Sequence, residues 1–254
     1  MKIYTYGVLV ALGFVLGIWW TIREGKRVGI RSEFVLDLAF YIIIAALVGS
    51  RILYIFIDWK RYVEHPVDVI KIWEGGLVFY GGFIGAVLTS VYYIRKHNQG
   101  FLRVADIFMP GLALGHSVGR LGCFAAGCCY GRPADAGSWW SVIFPSNPYS
   151  LAPAGVPIVA SQVLESATAF LIFLVLAFFS RRKKFDGEIF LLYLILYSVS
   201  RSYLETLRGD SVQGFLIPHV LSTSQAISIV LVILAGIIYY RVHSKKSHRS
   251  KVSL

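Results

Sequence analysis

The chain has 254 residues, of which 56% are hydrophobic and 15% charged, with a formal net charge of +11. A soluble domain of this length carries about 25% charged residues, so the composition excludes an ordinary water-soluble fold. The positive charge sits in short Lys/Arg clusters between apolar runs, which suits loops facing anionic lipid, and no nucleic-acid-binding module is visible.

Seven apolar stretches approach the ~20 residues that a bilayer crossing needs. The first, 4–22, lies in MKIYTYGVLVALGFVLGIWW, which lacks a clear small-residue cleavage site and is expected as a retained helix. Arg23, Lys26, Arg27 and Arg31 follow it. The second, 34–57, contains Arg51 and leads into a loop at about 58–76. The third, 77–94, opens on Tyr80-Gly81-Gly82 and ends at Arg95, Lys96 and, further on, Arg103. The fourth, 104–120, runs into GHSVGRLGCFAAGCCYGRP, Gly115 to Pro133, which holds all 3 cysteines. The loop at about 122–157 is rich in Pro, Gly, Trp and Ser and is expected to form a small head or a substrate-facing flap. The fifth, 162–180, starts at Ser161-Gln162 and Glu165 and is followed by Arg181, Arg182, Lys183 and Lys184. The sixth, 188–205, carries Tyr197, Arg201 and Glu205, with Arg208 and Asp210 beyond it. The seventh, 225–241, follows Ser224-Gln225 and ends in a basic tail, 241–254, expected as a disordered anchor at the membrane surface.

Most of the 25 Lys and Arg fall in loops on one side of this arrangement. The positive-inside rule makes that side cytoplasmic, with the C-terminus inside and the N-terminus outside. The fold class is therefore an all-α integral membrane protein, a single membrane-embedded domain over 1–254 with about seven transmembrane helices and a small periplasmic head.

Arg51, Arg120, Arg201 and Arg208 stand within or at the outer ends of the spans. Ionisable groups at membrane depth usually face a bundle interior or a wet cavity, which makes them functional candidates. Glu205 and Asp210 are too few to neutralise four arginines, so an anionic headgroup is the natural guest, because guanidinium forks bind phosphate bidentately. Internal ion pairing and snorkelling are the structural alternative, with Arg201 and Glu205 spaced as an intrahelical pair. Gly81 and Gly82 permit close approach of a lipid or of a neighbouring helix. Ser161 and Ser224 are placed to cap their helices, and Gln162 and Gln225 to bond across the bundle. Cys123, Cys128 and Cys129 with His116 offer zinc or redox ligand types, but the spacing C-x4-C-C is unusual for a metal, and small soft residues packing a glycine-rich turn fit as well.

Gly119-Arg120-Leu121-Gly122, followed by Phe124, Gly127 and Gly131-Arg132, resembles the signature GRxGNFxNGExxG of the prolipoprotein diacylglyceryl transferase family. Tyr6-Gly7, Gly49-Ser50-Arg51, Tyr80-Gly81-Gly82, Ser161-Gln162 with Glu165, Tyr197 with Arg201, Glu205 and Arg208, and Ser224-Gln225 resemble further family motifs in the family's order. The resemblance covers almost the whole chain. It implies transfer of the diacylglyceryl unit of phosphatidylglycerol to the lipobox cysteine of a preprolipoprotein, with release of glycerol phosphate, in the bacterial inner membrane. It implies no metal and no cofactor. Arg120 and Arg201 are then expected to grip the phosphate, Tyr6 and Tyr197 to position the headgroup, and Glu205 and Arg208 to orient the arginines or gate the site. Arg51, Gly81, Gly82, Gly119, Gly122, Gly131, Ser161, Gln162 and Glu165 complete the implied substrate-binding set, with Tyr80 beside the catalytic arginines.

The chain departs from the family pattern at the positions that handle protons. Tyr80 stands where the family has histidine, and Cys123, Ala126 and Cys128 stand where the signature has asparagine, asparagine and glutamate. A tyrosine, with a pKa near ~10, is a poor base at neutral pH. The acceptor thiol is expected to lose its proton in the field of the arginines, with Tyr80 as a hydrogen-bonding positioner. A paralogue that binds or moves anionic lipid without the transfer, or a membrane thiol or metal protein built on the cysteines, is the alternative.

Overall fold

A computed structural model describes residues 5–71, 75–147, 150–209, 215–217 and 221–252. Asp210 lies outside the described residues. The described chain is mostly helical: α1 (Thr5–Arg27), α2 (Ser32–Ile57), α3 (Trp59–Glu64), a 3-10 turn (Pro66–Ile70), α4 (Phe79–Lys96), α5 (Phe101–Ala126), α6 (Ser161–Ser180), α7 (Glu188–Glu205) and α8 (Thr223–Val252). Each of the seven expected spans coincides with a helix. Four of them, Thr5–Arg27, Ser32–Ile57, Ser161–Ser180 and Ser224–Val242, are long and apolar enough to cross a membrane by length and composition. Their outer faces are apolar and open: Phe40 is 61% exposed and Val230 55%. Water does not tolerate such surfaces at this extent, whereas lipid does.

Three expectations are corrected. The segment 58–76 is not a plain loop but carries α3 and the 3-10 turn. The head begins after Ala126 and not at Gly122, because α5 continues well past Arg120. As far as Val252 the tail is helical, a continuation of α8.

The backbone separates into two compact units, one of residues up to Thr21 together with Ala105–Leu254, the other Ile22–Val104. In the first unit α1 meets α5 along a glycine seam. A Cβ on Gly13 would stand 2.7 Å from the Gly115 carbonyl, and one on Gly17 2.7 Å from that of Gly111. Lipid removes the hydrophobic drive between helices, so such close packing and internal polar contacts have to supply the association. Ala113, Ile172, Phe173, Leu176, Ile189 and Tyr193 form the core between α5, α6 and α7, and Phe185, Leu191 and Ala235 join α7 to α8. Asp106 anchors the opposite end of α7. Its carboxylate accepts the Gly187 and Phe190 N–H groups at 2.8 and 2.9 Å and pairs with Lys183 at 3.0 Å. It satisfies donors that a helix N-terminus leaves open.

The head of this unit is a short antiparallel ribbon, β1 (Ser141–Ile143) on β2 (Pro157–Val159), with Val142 opposite Ile158. A second ribbon, β3 (Phe215–Ile217) and β4 (Leu221–Ser222), precedes α8.

In the second unit α2 packs on α4. A Cβ on Gly81 would collide with the Gly49 carbonyl and one on Gly82 with Ser50 Oγ, so the space at the glycine pair is filled by helix packing. Arg51, 8% exposed, turns back on its own loop. Its Nε donates to Val69 O, Nη1 to Gly75 O and Gly76 O, and Nη2 to Asp68 O and Lys71 O. All five guanidinium N–H groups are thereby engaged. Gly76, at φ 73°, fits where a side chain would strike Tyr54 and Arg51.

Candidate active site

Three helices of the first unit bring charge to one point. Glu165, on the inner face of α6, is 5% exposed. Arg120 of α5 places Nε 2.5 Å from Glu165 Oε2. Arg201 of α7 places Nη1 3.5 Å from Oε1, and Arg208, just past α7, places Nη1 4.0 Å from the same oxygen. Arg201 also pairs with Glu205 one turn on, as its spacing predicts. The buried face of α6 grades along its length: Ser161, Gln162, Glu165 and Ser166 at one end, Ile172, Phe173 and Leu176 further along. Ser166 Oγ donates to Ser117 O at 2.8 Å and fixes α6 against α5 at the level of the charges.

Arg120 and Arg201 line one small cleft together with His116, Glu165, Thr168 and Tyr197. His116 Nε2 accepts from Arg120 Nε at 3.2 Å, which requires that nitrogen to be unprotonated. Tyr197 lies 5.7 Å from the His116 ring and stacks on Tyr193 at 5.5 Å. Guanidiniums converging on one carboxylate beside a cleft place several hydrogen-bond donors at one point.

The segment after α5 is built by a helix stop. Gly127, in the left-handed region at φ 66°, donates to Phe124 O at 3.1 Å, and Cys128 N–H donates to Cys123 O at 3.1 Å. This is the Schellman pattern, in which the residue after the glycine folds back on the residue five before it. It brings the Cys128 and Cys123 side chains together. Cys129 follows at φ 57°, a conformation uncommon for a residue with a side chain. Ser161 Oγ donates to Cys129 O at 2.9 Å and Gln162 Nε2 to Cys128 O at 2.8 Å, both from fully buried positions. The three sulfurs lie within 4.8 Å of one another. Hydrogen bonds from Cys123 and Cys128 push the Cys129 thiol well below the ordinary thiol range, and Arg120 and Arg208 act in the same direction. Beyond the turn, Arg132 N–H donates to Leu207 O and Gly131 bridges to Arg208, so the chain leaving the cysteines holds the segment that carries Arg208.

The model of the prolipoprotein diacylglyceryl transferase family matches residues 1–241. The chain belongs to this family. It is 35% identical to phosphatidylglycerol–prolipoprotein diacylglyceryl transferase 2 of Clostridium perfringens, over 98% of this chain and 94% of the relative. It is 36% identical to the phosphatidylglycerol–prolipoprotein diacylglyceryl transferase of Finegoldia magna, over 98% and 95% of the two chains. For the transferase of the same name from Clostridium tetani the identity is 34%, over 95% and 94%.

Within this transferase-family chain the expected site residues divide. Arg120, Arg201, Arg208, Glu165, Glu205 and Tyr197 gather in the first unit. Tyr6 joins them at the end of α5, where a Cβ on Gly122 would stand 3.3 Å from the Tyr6 carbonyl oxygen. Gly119 has open space on its side-chain face, and Gly131 has none, because a Cβ there would collide with Val159 O. Arg51, Tyr80, Gly81 and Gly82 belong to the second unit, where Tyr80 is 54% exposed. Three expectations change. Among the described residues Glu165 is the carboxylate that meets three of the arginines, while Glu205 pairs with Arg201. Ser161 does not cap α6, since its hydroxyl holds the cysteine turn, and at α8 it is Ser222 Oγ that accepts the Gln225 N–H. Gln225 does bond across helices, to Ser202 O of α7. His116 belongs to the arginine cleft and not to the cysteines; its i, i+4 spacing from Arg120 was the available signal.

Proposed function

We propose that the chain transfers the diacylglyceryl group of phosphatidylglycerol to the lipobox cysteine thiol of a preprolipoprotein and releases glycerol phosphate. Family membership supports the reaction class, and the relatives' names carry both substrates. One geometric observation carries the reading: Arg120 and Arg201 share a cleft and a carboxylate. In this reading the two guanidiniums hold the lipid phosphate and stabilise the charge that grows on it as the carbon–oxygen bond breaks. Glu165 keeps them convergent while the site is without lipid, and Tyr197 and Tyr6 flank the headgroup. The acceptor sulfur attacks the glycerol carbon that bears the phosphate. The protein would work in the bacterial inner membrane, with seven crossings, the N-terminus outside and the C-terminus in the cytoplasm.

The test is rescue of cells depleted of their own transferase, read as lipidation of a reporter lipoprotein. Wild type restores it. Arg120→Ala and Arg201→Ala lower transfer by about 10²-fold or more, the usual effect of removing a donor to a developing anion. Wild type that reaches the membrane, binds phosphatidylglycerol and releases no glycerol phosphate would mark a lipid-binding protein and refute the assignment.

A further inference from the structure

We infer that Cys123, Cys128 and Cys129 form a three-thiolate site for a thiophilic d10 cation of the zinc class, with its fourth position left for the acceptor thiol. The first part stands on the geometry of the turn alone. The second rests on the proposed transfer reaction.

The geometry comes first. Three sulfurs bound tetrahedrally at ~2.3 Å stand about 3.8 Å apart. Here all three already lie within 4.8 Å of one another, as free thiols. A movement of about 1 Å closes the set, and rotation of Cys side chains supplies it. The backbone is arranged in advance. The helix stop at Gly127 fixes Cys128 over Cys123, and the left-handed Cys129 turns its own side chain to the same point. Buried Ser161 and Gln162 hold the carbonyls of both adjacent cysteines. Adjacent cysteines in a regular helix or strand do not share a focus. In this turn they do, and the unusual backbone at Cys129 is what makes it possible.

The surroundings suit the charge. Three thiolates on a divalent cation carry one net negative charge, and a fourth thiolate makes it two. Arg120 and Arg208 act electrostatically on the Cys129 sulfur, and Arg120 on that of Cys123. Their positive charge offsets what would otherwise be a costly anionic cluster. Among the described residues no fourth His, Cys, Asp or Glu joins the three sulfurs. A site with three protein ligands and an open position is the catalytic form of a zinc site, as opposed to the closed structural form.

The open position answers a need of the reaction. Something has to hold the acceptor sulfur as a thiolate, because the thiolate is the nucleophile. His116 accepts from Arg120 and shares its cleft with Arg201, so a proton taken there would join two cations. A bound cation deprotonates a coordinating thiol outright. The step balances. The lipobox R–SH binds as R–S⁻ and its proton leaves to water. The sulfur forms a bond to the glycerol carbon, the carbon–oxygen bond to phosphate breaks, and its electron pair stays on the phosphate oxygen of the departing glycerol phosphate. The product is a neutral thioether, a weak ligand that the cation releases.

The experiment uses the full chain, purified in detergent under reducing conditions without a histidine tag. Metal analysis after dialysis against Zn2+ is expected to give about one zinc per chain. Replacement by Co2+ is expected to give a near-ultraviolet thiolate-to-cobalt band that Cys123→Ser and Cys129→Ser each abolish while the protein stays monodisperse. Adding a lipobox peptide should change the visible cobalt bands, and the same peptide with its cysteine replaced by serine should not. Zinc-free protein with three titratable thiols, or one with two thiols lost to a disulfide, overturns the site. Zinc bound but full transfer retained by Cys123→Ser overturns the acceptor role alone. Wild type that binds zinc and the peptide but never transfers would overturn the proposed reaction and leave the site standing.

Discussion

Glu165 has more asked of it than any other side chain in the first unit. It is 5% exposed and stands within 4.0 Å of three guanidiniums from two other parts of the chain. Glu165→Gln keeps the shape and removes the charge, so Arg120 loses its carboxylate partner while Arg201 keeps Glu205. Breaking a buried pair in this way costs about 3–5 kcal/mol. In a chain of this size that corresponds to a melting temperature lower by roughly 10 °C, measured by thermal unfolding in detergent. Unchanged melting would show that the arginines do not depend on this carboxylate. The sequence offered Glu165 as part of a family motif near the start of a span, not as the counter-charge to the arginines. Its role arises from Arg120 and Arg201, which lie tens of positions away on either side along the chain, a distance that no helical periodicity spans. The i, i+4 pair of Arg201 and Glu205, by contrast, could be read directly from spacing.

At the scale of elements, polar groups decide where helices stop and how loops close. Arg51 shows this in the second unit. It ends no helix and meets no carboxylate among the described residues, yet its five donors gather the carbonyls of the 3-10 turn and of Gly75 and Gly76. Arg51→Lys retains the charge but loses the planar fork, and an ammonium cannot span five acceptors. The amides of Asp68 and Lys71, bonded within the turn, should then exchange with solvent about ten-fold or more faster, as read by hydrogen–deuterium exchange. Equal exchange in the two proteins would mean the loop holds without the clamp. The sequence could place Arg51 in an outer position but not aim it, because a buried arginine can serve a phosphate or a loop equally well. The long helices were legible, since apolar runs of this length have few other solutions, whereas the short α3 and the 3-10 turn, without such a run, were not. Helix ends were less legible. Gly122 reads as a break, yet a mid-helix glycine costs only about 1 kcal/mol and here makes room for the Tyr6 backbone; the real stop is Gly127, which takes up a positive φ.

For the whole molecule, the number of crossings depends on how charge inside the bundle is read. Four helices pass on hydropathy, while α4, α5 and α7 do not. Those three carry Arg95 and Lys96, then Asp106 and Arg120, then Glu188, Arg201 and Glu205. These charges of α5 and α7 are internally matched: Asp106 by Lys183 and two N–H groups, Arg120 by Glu165, Arg201 by Glu165 and Glu205. A paired charge facing protein does not bar a helix from lipid, so low hydropathy in α5 and α7 is compatible with crossing. The two topologies differ in a way that reporter fusions resolve. With crossings by α1, α2, α6 and α8 alone, residues 58–160 stay on one side and the C-terminus returns to the side of the N-terminus. With seven crossings, Asn98 and Asp135 lie on opposite sides, and the C-terminus shares the side of Asn98 and Lys184. We expect a fluorescent reporter to light up after Asn98, Lys184 and the last residue, and a periplasmic phosphatase reporter to be active only after Asp135. Phosphatase activity after Asn98, Asp135 and the last residue together would reduce the crossings to four.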